Sequence, residues 1–198
     1  KNTSTYFEIV TMDKDFLNKY LLEFSELMRP NDSILDQLIE IKQVLIDANS
    51  KGNKGLIFGN GGSAAIASHF SVDLTKNASI RCLNFNESDL ITCFANDYGF
   101  ENWVAKAIEF YGDQGDVLIV ISSSGKSQNM INATASARIK KFSKIITLSG
   151  FEEDNLLRQS GDINLWVNSK AYNFVENLHQ IWLLALVDLV IGDKEYSA

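Results

Sequence analysis

The sequence predicts an α/β protein built as a three-layer sandwich, a parallel sheet between two layers of helices. Three observations lead there. The stretch Asp116-Val-Leu-Ile-Val-Ile is apolar after its first residue and rich in β-branched side chains. It lacks the polar alternation of a half-exposed strand, so both its faces must be covered, as in a parallel sheet. Lys54-Gly-Leu-Ile-Phe and Lys144-Ile-Ile-Thr-Leu repeat that character. Finally, segments of helical spacing separate these runs, an order that implies right-handed βαβ crossovers.

The elements follow in order. A helix is predicted over about residues 6–28, closed by the break Arg29-Pro30-Asn31 around the only proline. Asp32 or Ser33 can cap a second helix, with Ile34, Leu38, Ile41 and Leu45 at helical spacing. Residues 54–58 read as a short buried strand, 63–76 as a helix and 80–85 as a second strand. Helices follow over 89–96 and 101–111, then the strong strand 116–121 and a helix over 127–140. Strands over 144–148 and 162–167 and a last helix over 172–191 complete the chain. With no repeat, linker or low-complexity tract in 198 residues, one domain is expected over 1–198, with 1–52 as an N-terminal helical extension.

Composition narrows the partners. Hydrophobic residues make up 45% and charged residues 22%, an ordinary globular balance, with a formal net charge of −7. That charge argues against nucleic acid or an anionic membrane as the main partner. It leaves room for a small anion, which a local nest of N–H groups can hold on an acidic protein. Cys82 and Cys93 form no metal or redox motif, no leader-like segment opens the sequence, and the longest apolar run, 181–187, is too short to span a bilayer. A cytoplasmic protein with reduced thiols is the expectation.

In a sheet of this kind ligands sit beyond the carboxyl ends of the strands. Two loops stand there. The first strand ends in Phe58-Gly-Asn-Gly-Gly-Ser-Ala-Ala, where glycines allow close approach of backbone to ligand and Ser63 adds a hydroxyl at a helix start. Such a loop by itself is equally a tight turn with a capping serine. The strong strand ends in Ile121-Ser-Ser-Ser-Gly-Lys-Ser-Gln-Asn. A cap needs one hydroxyl; Ser122, Ser123, Ser124 and Ser127 supply four, as a phosphate site requires, with Lys126 as a nearby positive charge. The Walker spacing Gly-x-x-x-x-Gly-Lys-Ser/Thr is absent, so nucleotide hydrolysis is not read here.

Asn60-Gly-Gly-Ser-Ala, Ala95-Asn-Asp-Tyr-Gly-Phe-Glu and Gly115-Asp-Val-Leu-Ile-Val-Ile-Ser-Ser-Ser-Gly-Lys-Ser occur in an order and spacing that resemble the sugar isomerase (SIS) domain family, and within it the phosphoheptose isomerases. The resemblance spans about residues 31–192 and includes Thr147-Leu-Ser-Gly and the closing helix. It implies a flavodoxin-like sandwich around a five-stranded parallel sheet, a homotetramer, and conversion of sedoheptulose 7-phosphate to glycero-manno-heptose 7-phosphate for surface polysaccharide. By motif, Ser122, Ser123, Ser124 and Ser127 would hold the phosphate, and Asn60, Ser63 and Asp97 would contact the sugar.

Isomerisation needs a base near the carbon and an acid or metal near the oxygens. The chain has two histidines, each with a carboxylate at helical spacing: His69 with Asp73, and Glu176 with His179. His69 matches the family's histidine, and Asp73 stands where the isomerases carry a catalytic, metal-binding glutamate. The family's glutamine and histidine on the last helix fall on Val175 and Leu183, which can neither ligate nor move a proton. Glu176 and His179 therefore read as a relocated acid/base pair, with Asp73 as a further catalytic group. His69, Asp73 and His179 form a candidate zinc site. The apolar run 181–187 suggests burial against core and partner together. Two alternatives remain, a non-catalytic SIS adaptor of replication initiation and a SIS isomerase of another sugar phosphate.

Overall fold

The computed structural model describes residues 3–196; Lys1, Asn2, Ser197 and Ala198, which the expected domain includes, lie outside them. The chain forms two compact units, divided between Asn31 and Asp32. The first holds a single helix, α1 (Thr3–Leu27), carrying exposed Met12, Phe16, Leu17, Leu21 and Leu22. The second begins with α2 (Asp32–Ser50), whose Leu38, Ile41, Leu45 and Ala48 are buried in the core. The expected extension over 1–52 is thus corrected: α2 is a layer of the sandwich, because its apolar stripe has the sheet to pack on.

The elements then alternate as the sequence predicts: β1 (Gly55–Gly59), α3 (Gly62–Lys76), β2 (Cys82–Leu83), α4 (Ser88–Tyr98), α5 (Trp103–Tyr111), β3 (Val117–Ser122), α6 (Gln128–Ile139), β4 (Lys144–Ser149), α7 (Leu156–Ser160), β5 (Ile163–Trp166) and α8 (Tyr172–Ile191). The five strands lie in the order β2-β1-β3-β4-β5, every pair parallel. Alternate residues feed opposite layers. Ile57, Ile119 and Ile121 pack with α2, Phe70 and Leu74 of α3, and Leu183 and Leu186 of α8. Leu56, Phe58, Leu118 and Val120 pack with Trp103 and Ile108 of α5 and Met130 and Ala133 of α6. β1 and β3 are buried at every position, which explains their unbroken apolar character.

Two elements differ from the sequence reading. β2 is two residues long rather than six. It is an edge strand, and Thr75 takes up both outward backbone groups of Cys82: Oγ1 accepts from its N–H at 3.0 Å and donates to its carbonyl at 3.1 Å. A side chain thus closes the edge that a further strand would otherwise cover. The short α7 has no apolar periodicity to announce it; Asn155 starts it by accepting the Arg158 N–H at 2.9 Å.

At the amino edge of the sheet one carboxylate ties β1 to β3. Asp116 is fully buried. It accepts from the Lys54 N–H (3.0 Å), the Asn53 amide (3.2 Å), the Asp113 N–H (2.8 Å) and the Lys54 ammonium (2.7 Å). Burial opposes the charge on Lys54, but the hydrogen bonds to Asp113 and Asp116 outweigh it and hold its pKa above the ordinary lysine value. Removing one member of such a set strands the other charge in the interior. Asp116→Ala is expected to lower the urea-unfolding free energy by about 3–5 kcal/mol. Asp113→Ala, which removes a largely exposed partner of the same lysine, is expected to change it by less than about 1 kcal/mol.

Candidate functional site

β3 ends in Ser122, and the chain turns through residues 122–127 into α6. The Gly125 N–H donates to the Ser122 carbonyl at 2.9 Å, and the hydroxyls of Ser122 and Ser127 lie 2.9 Å apart across the turn. Gly125 has a φ of 65°, and a Cβ there would lie 2.0 Å from Oδ1 of Asn155, so only glycine fits. Buried Asn155 braces the loop from behind, donating to Ser149 Oγ at 3.0 Å. The Gly150 N–H donates to the Ser123 carbonyl at 2.9 Å and fixes the serine loop against the end of β4. Asn155 is a site-building residue that sequence reasoning missed.

β1 ends beside β3, with Gly59 in register with Ile121. The Gly-rich loop after β1 therefore faces the serine loop, and α3 and α6 start side by side. Asn60 and Asn129 lock the two loops with reciprocal amide bonds, Asn60 Nδ2 to Asn129 Oδ1 at 3.0 Å and Asn129 Nδ2 to Asn60 Oδ1 at 2.8 Å. Between the loops lies a cavity of about 150 Å³ lined by Asn60, Ser63, the serines 122–124 and 127, Tyr172 and Glu176. Six of the predicted binding residues thus meet in one place. Two helix starts and five serine hydroxyls give it donors of the kind an anion can use. Lys126 is exposed and does not line it.

Glu176 reaches this cavity from α8. Its carboxylate rests on Gly62, the first residue of α3, so closely that a Cβ there would lie 2.4 Å from Oε2. Glu176 also lines a second cavity of about 350 Å³, shared with Gly62, His69, Asn177 and Gln180. There His69 Nε2 lies 3.2 Å from Asp73 Oδ2, and the Gln180 amide lies 3.5 Å from His69 Nδ1. Tyr172, Glu176 and Gln180 follow one another at i, i+4 and i+8, one face of α8 turned to both cavities. Tyr172 and Gln180 escaped the sequence reading, although that spacing was there to find.

Three expectations require correction. His179 is not paired with Glu176. It lies on the stripe with Val175 and Leu183, all three buried, so the placement one turn before Leu183 carries it into the core. Its Nε2–H donates to the Ser149 carbonyl at 3.1 Å, while Nδ1 has no partner among the described residues. The zinc set His69, Asp73 and His179 is not assembled either: no three His, Cys, Asp or Glu side chains converge among the described residues. Asp97, exposed on α4 and engaged with Asn96 at 2.8 Å, lines neither cavity. Asp73 is one turn beyond His69, contacts that imidazole and also lines neither.

Comparison with known proteins shows the family and the fold. Residues 19–150 match the family model described as the SIS domain. The phosphoheptose isomerase of Helicobacter pylori strain P12 is 32% identical over 187 residues, covering 90% of this chain and 96% of its own. That of Fusobacterium nucleatum is 30% identical over 182 residues, covering 88% and 92%. A solved phosphoheptose isomerase from Francisella tularensis superposes with a TM-score of 0.81 at 25% identity, over 90% of this chain and 98% of its own.

The placement of His179 has a measurable consequence. Burial drives its pKa down from the ordinary value to about 4, with the Ser149 contact opposing only in part. The native state therefore refuses a proton that the unfolded chain accepts below about pH 6.5. Between that pH and about 4, stability falls as pH falls, by up to roughly 3 kcal/mol from this group. Melting curves from pH 7 to 4.5 are expected to decline more steeply for the wild-type protein than for His179→Gln, which has no imidazole to charge. Parallel curves would place His179 in contact with water.

Proposed function

The chain belongs to the SIS domain family, and on that premise we propose that it is an aldose–ketose isomerase converting sedoheptulose 7-phosphate to D-glycero-D-manno-heptose 7-phosphate, a precursor of surface polysaccharide. The observation that carries the reading is the position of Glu176, an acceptor carboxylate at the junction of the serine cavity and the His69 cavity. The serine loop takes the phosphate, and the reacting end of the sugar extends toward Glu176.

The chemistry is a proton transfer between neighbouring carbons. Glu176 takes a proton from C1 of the open ketose, leaving an enediolate, and returns it to C2. The C1 hydroxyl proton moves to the oxygen on C2 in the same passage. His69 faces the adjoining cavity and is the group placed to carry it. Its Nε2–H is held by Asp73, so Nδ1, with the Gln180 amide 3.5 Å away, is the nitrogen that takes and gives the proton. That amide can offer its nitrogen to a neutral ring or its oxygen to a protonated one. Both transfers are assigned to Glu176 and His69, since no three His, Cys, Asp or Glu side chains converge among the described residues.

The working form we read is a homotetramer. The exposed Met12, Phe16, Leu17, Leu21 and Leu22 of α1, and the exposed Tyr98, Phe100, Phe110 and Tyr111 around α4 and α5, are large apolar surfaces of the kind that subunit contacts cover. Two cysteines, both unpaired, fit a reducing cytoplasm, where phosphorylated sugars are made. α8 is long and apolar enough by composition to cross a membrane, but its Val175, Leu178, Leu183, Leu186 and Val187 belong to the buried interior of the sandwich.

Two measurements test these readings. With sedoheptulose 7-phosphate, NMR should show aldose formation by the wild-type protein, and Glu176→Gln should reduce turnover by about 10²–10⁴ while leaving binding nearly intact. Wild-type binding without turnover would instead point to the adaptor function, and unimpaired Glu176→Gln to His69 as the base. In sedimentation, the 22.1 kDa chain is expected to run as a tetramer at micromolar concentration. A clean monomer would remove the assembly claim.

A further inference from the structure

One wall of the serine cavity has no role in anything described so far. Among the described residues, Tyr172 is the only aromatic one lining it. It sits in the first turn of α8, one turn before Glu176, and is 58% exposed. A sugar phosphate anchored in the serine loop with its reacting carbons at Glu176 shares the cavity with that ring. The phosphate oxygens are served by hydroxyls and N–H groups; a phenol ring instead offers an apolar face to the C–H groups of a carbon chain.

The ring is also held in place at a conformational cost. Phe151, just past β4, has a φ of 58° without being glycine, a conformation that a bulky side chain adopts only when its surroundings enforce it. Its N–H donates to the Ser169 carbonyl at 2.9 Å, and its ring meets Tyr172 edge to face, with centroids 4.9 Å apart. Next to it, Glu152 and Lys170 form an ion pair at 2.6 Å. Three contacts thus clasp the loop after β4 to the segment leading into α8.

We infer that Tyr172 is a substrate-contacting residue that grips the carbon chain of the sugar rather than its phosphate, and that Phe151 is the positioning residue that holds it over the cavity. This rests on the reading of the serine loop as the phosphate site.

Calorimetry with two probes, sedoheptulose 7-phosphate and inorganic phosphate, tests it. Tyr172→Ala is expected to weaken sugar-phosphate binding about five- to tenfold, the scale of one aromatic contact, and to leave inorganic phosphate binding unchanged. Tyr172→Phe keeps the ring and should bind as the wild type does. Phe151→Asn removes the second ring with a residue that tolerates positive φ. It should weaken sugar-phosphate binding in the same direction without lowering the melting temperature, and add little to Tyr172→Ala in the double variant. In turnover, both variants should raise KM with little change in kcat. Equal losses for both probes, or a Tyr172→Phe variant as weak as Tyr172→Ala, would overturn the assignment to the ring. Wild-type protein that binds neither probe would overturn the phosphate site itself, and the inference with it.

Discussion

The pairing of β1 with β3 is the constraint on which the site depends. Five residues on each strand run in register, from Gly55 opposite Val117 to Gly59 opposite Ile121. The two loops that follow therefore leave the sheet at the same height and side by side. At the lower end the register is held by Asp116, which binds the backbone of Lys54 and its ammonium together. At the upper end it is held by the reciprocal amides of Asn60 and Asn129. A slip by one residue would turn every side chain of β1 to the opposite layer and break both ties. Two helix starts converge on one cavity only because this register is kept, which is how a chain of net charge −7 can offer an anion site: the positive potential comes from backbone N–H groups, with no lysine in the cavity wall.

Much of this was legible in the sequence, for reasons that differ by element. β3 could be read because burial on both faces leaves no polar position, and the serine loop because four hydroxyls exceed what a cap requires. Both signals are local. The short extent of β2 was not legible, since it is decided by Thr75, seven residues away, closing the edge. Nor was Asn155, which braces the serine loop through Ser149 from another turn; a lone asparagine before five helical residues looks like a cap and nothing more. The division at Asn31 was missed because the apolar spacing of α2 says that the helix has a partner, not which one. Its partner is the sheet, so α2 belongs to the sandwich.

α8 shows the same limit within one helix. Glu176 and His179 are three residues apart, about 60° around the helix axis, which is close enough to suggest one face. The structure draws the boundary between them. Val175, His179 and Leu183 form a stripe buried in the core, and Tyr172, Glu176 and Gln180 form the stripe at the cavities. Histidine was taken for chemistry because its side chain can do chemistry. In the core it does structural work: it binds the Ser149 carbonyl, and the adjoining Gly150 N–H binds Ser123. His179 thus supports the serine loop from beneath.

This arrangement also accounts for the two positions at which the chain departs from the pattern it resembles. Polar groups at 175 and 183 would project from the stripe that is here closed by Val175 and Leu183, and burying them without partners would be unfavourable. Moving from position 175 to 176 rotates a side chain by 100° about the helix axis, from that stripe to the start of α3. The carboxylate of Glu176 fits there because residue 62 is glycine; a methyl group at that position would overlap Oε2. Gln180, one turn further on, reaches His69 from the same side. Val175 and Leu183 and the polar residues beside them thus lie on two stripes of one helix, the first closed into the core and the second turned to the cavities.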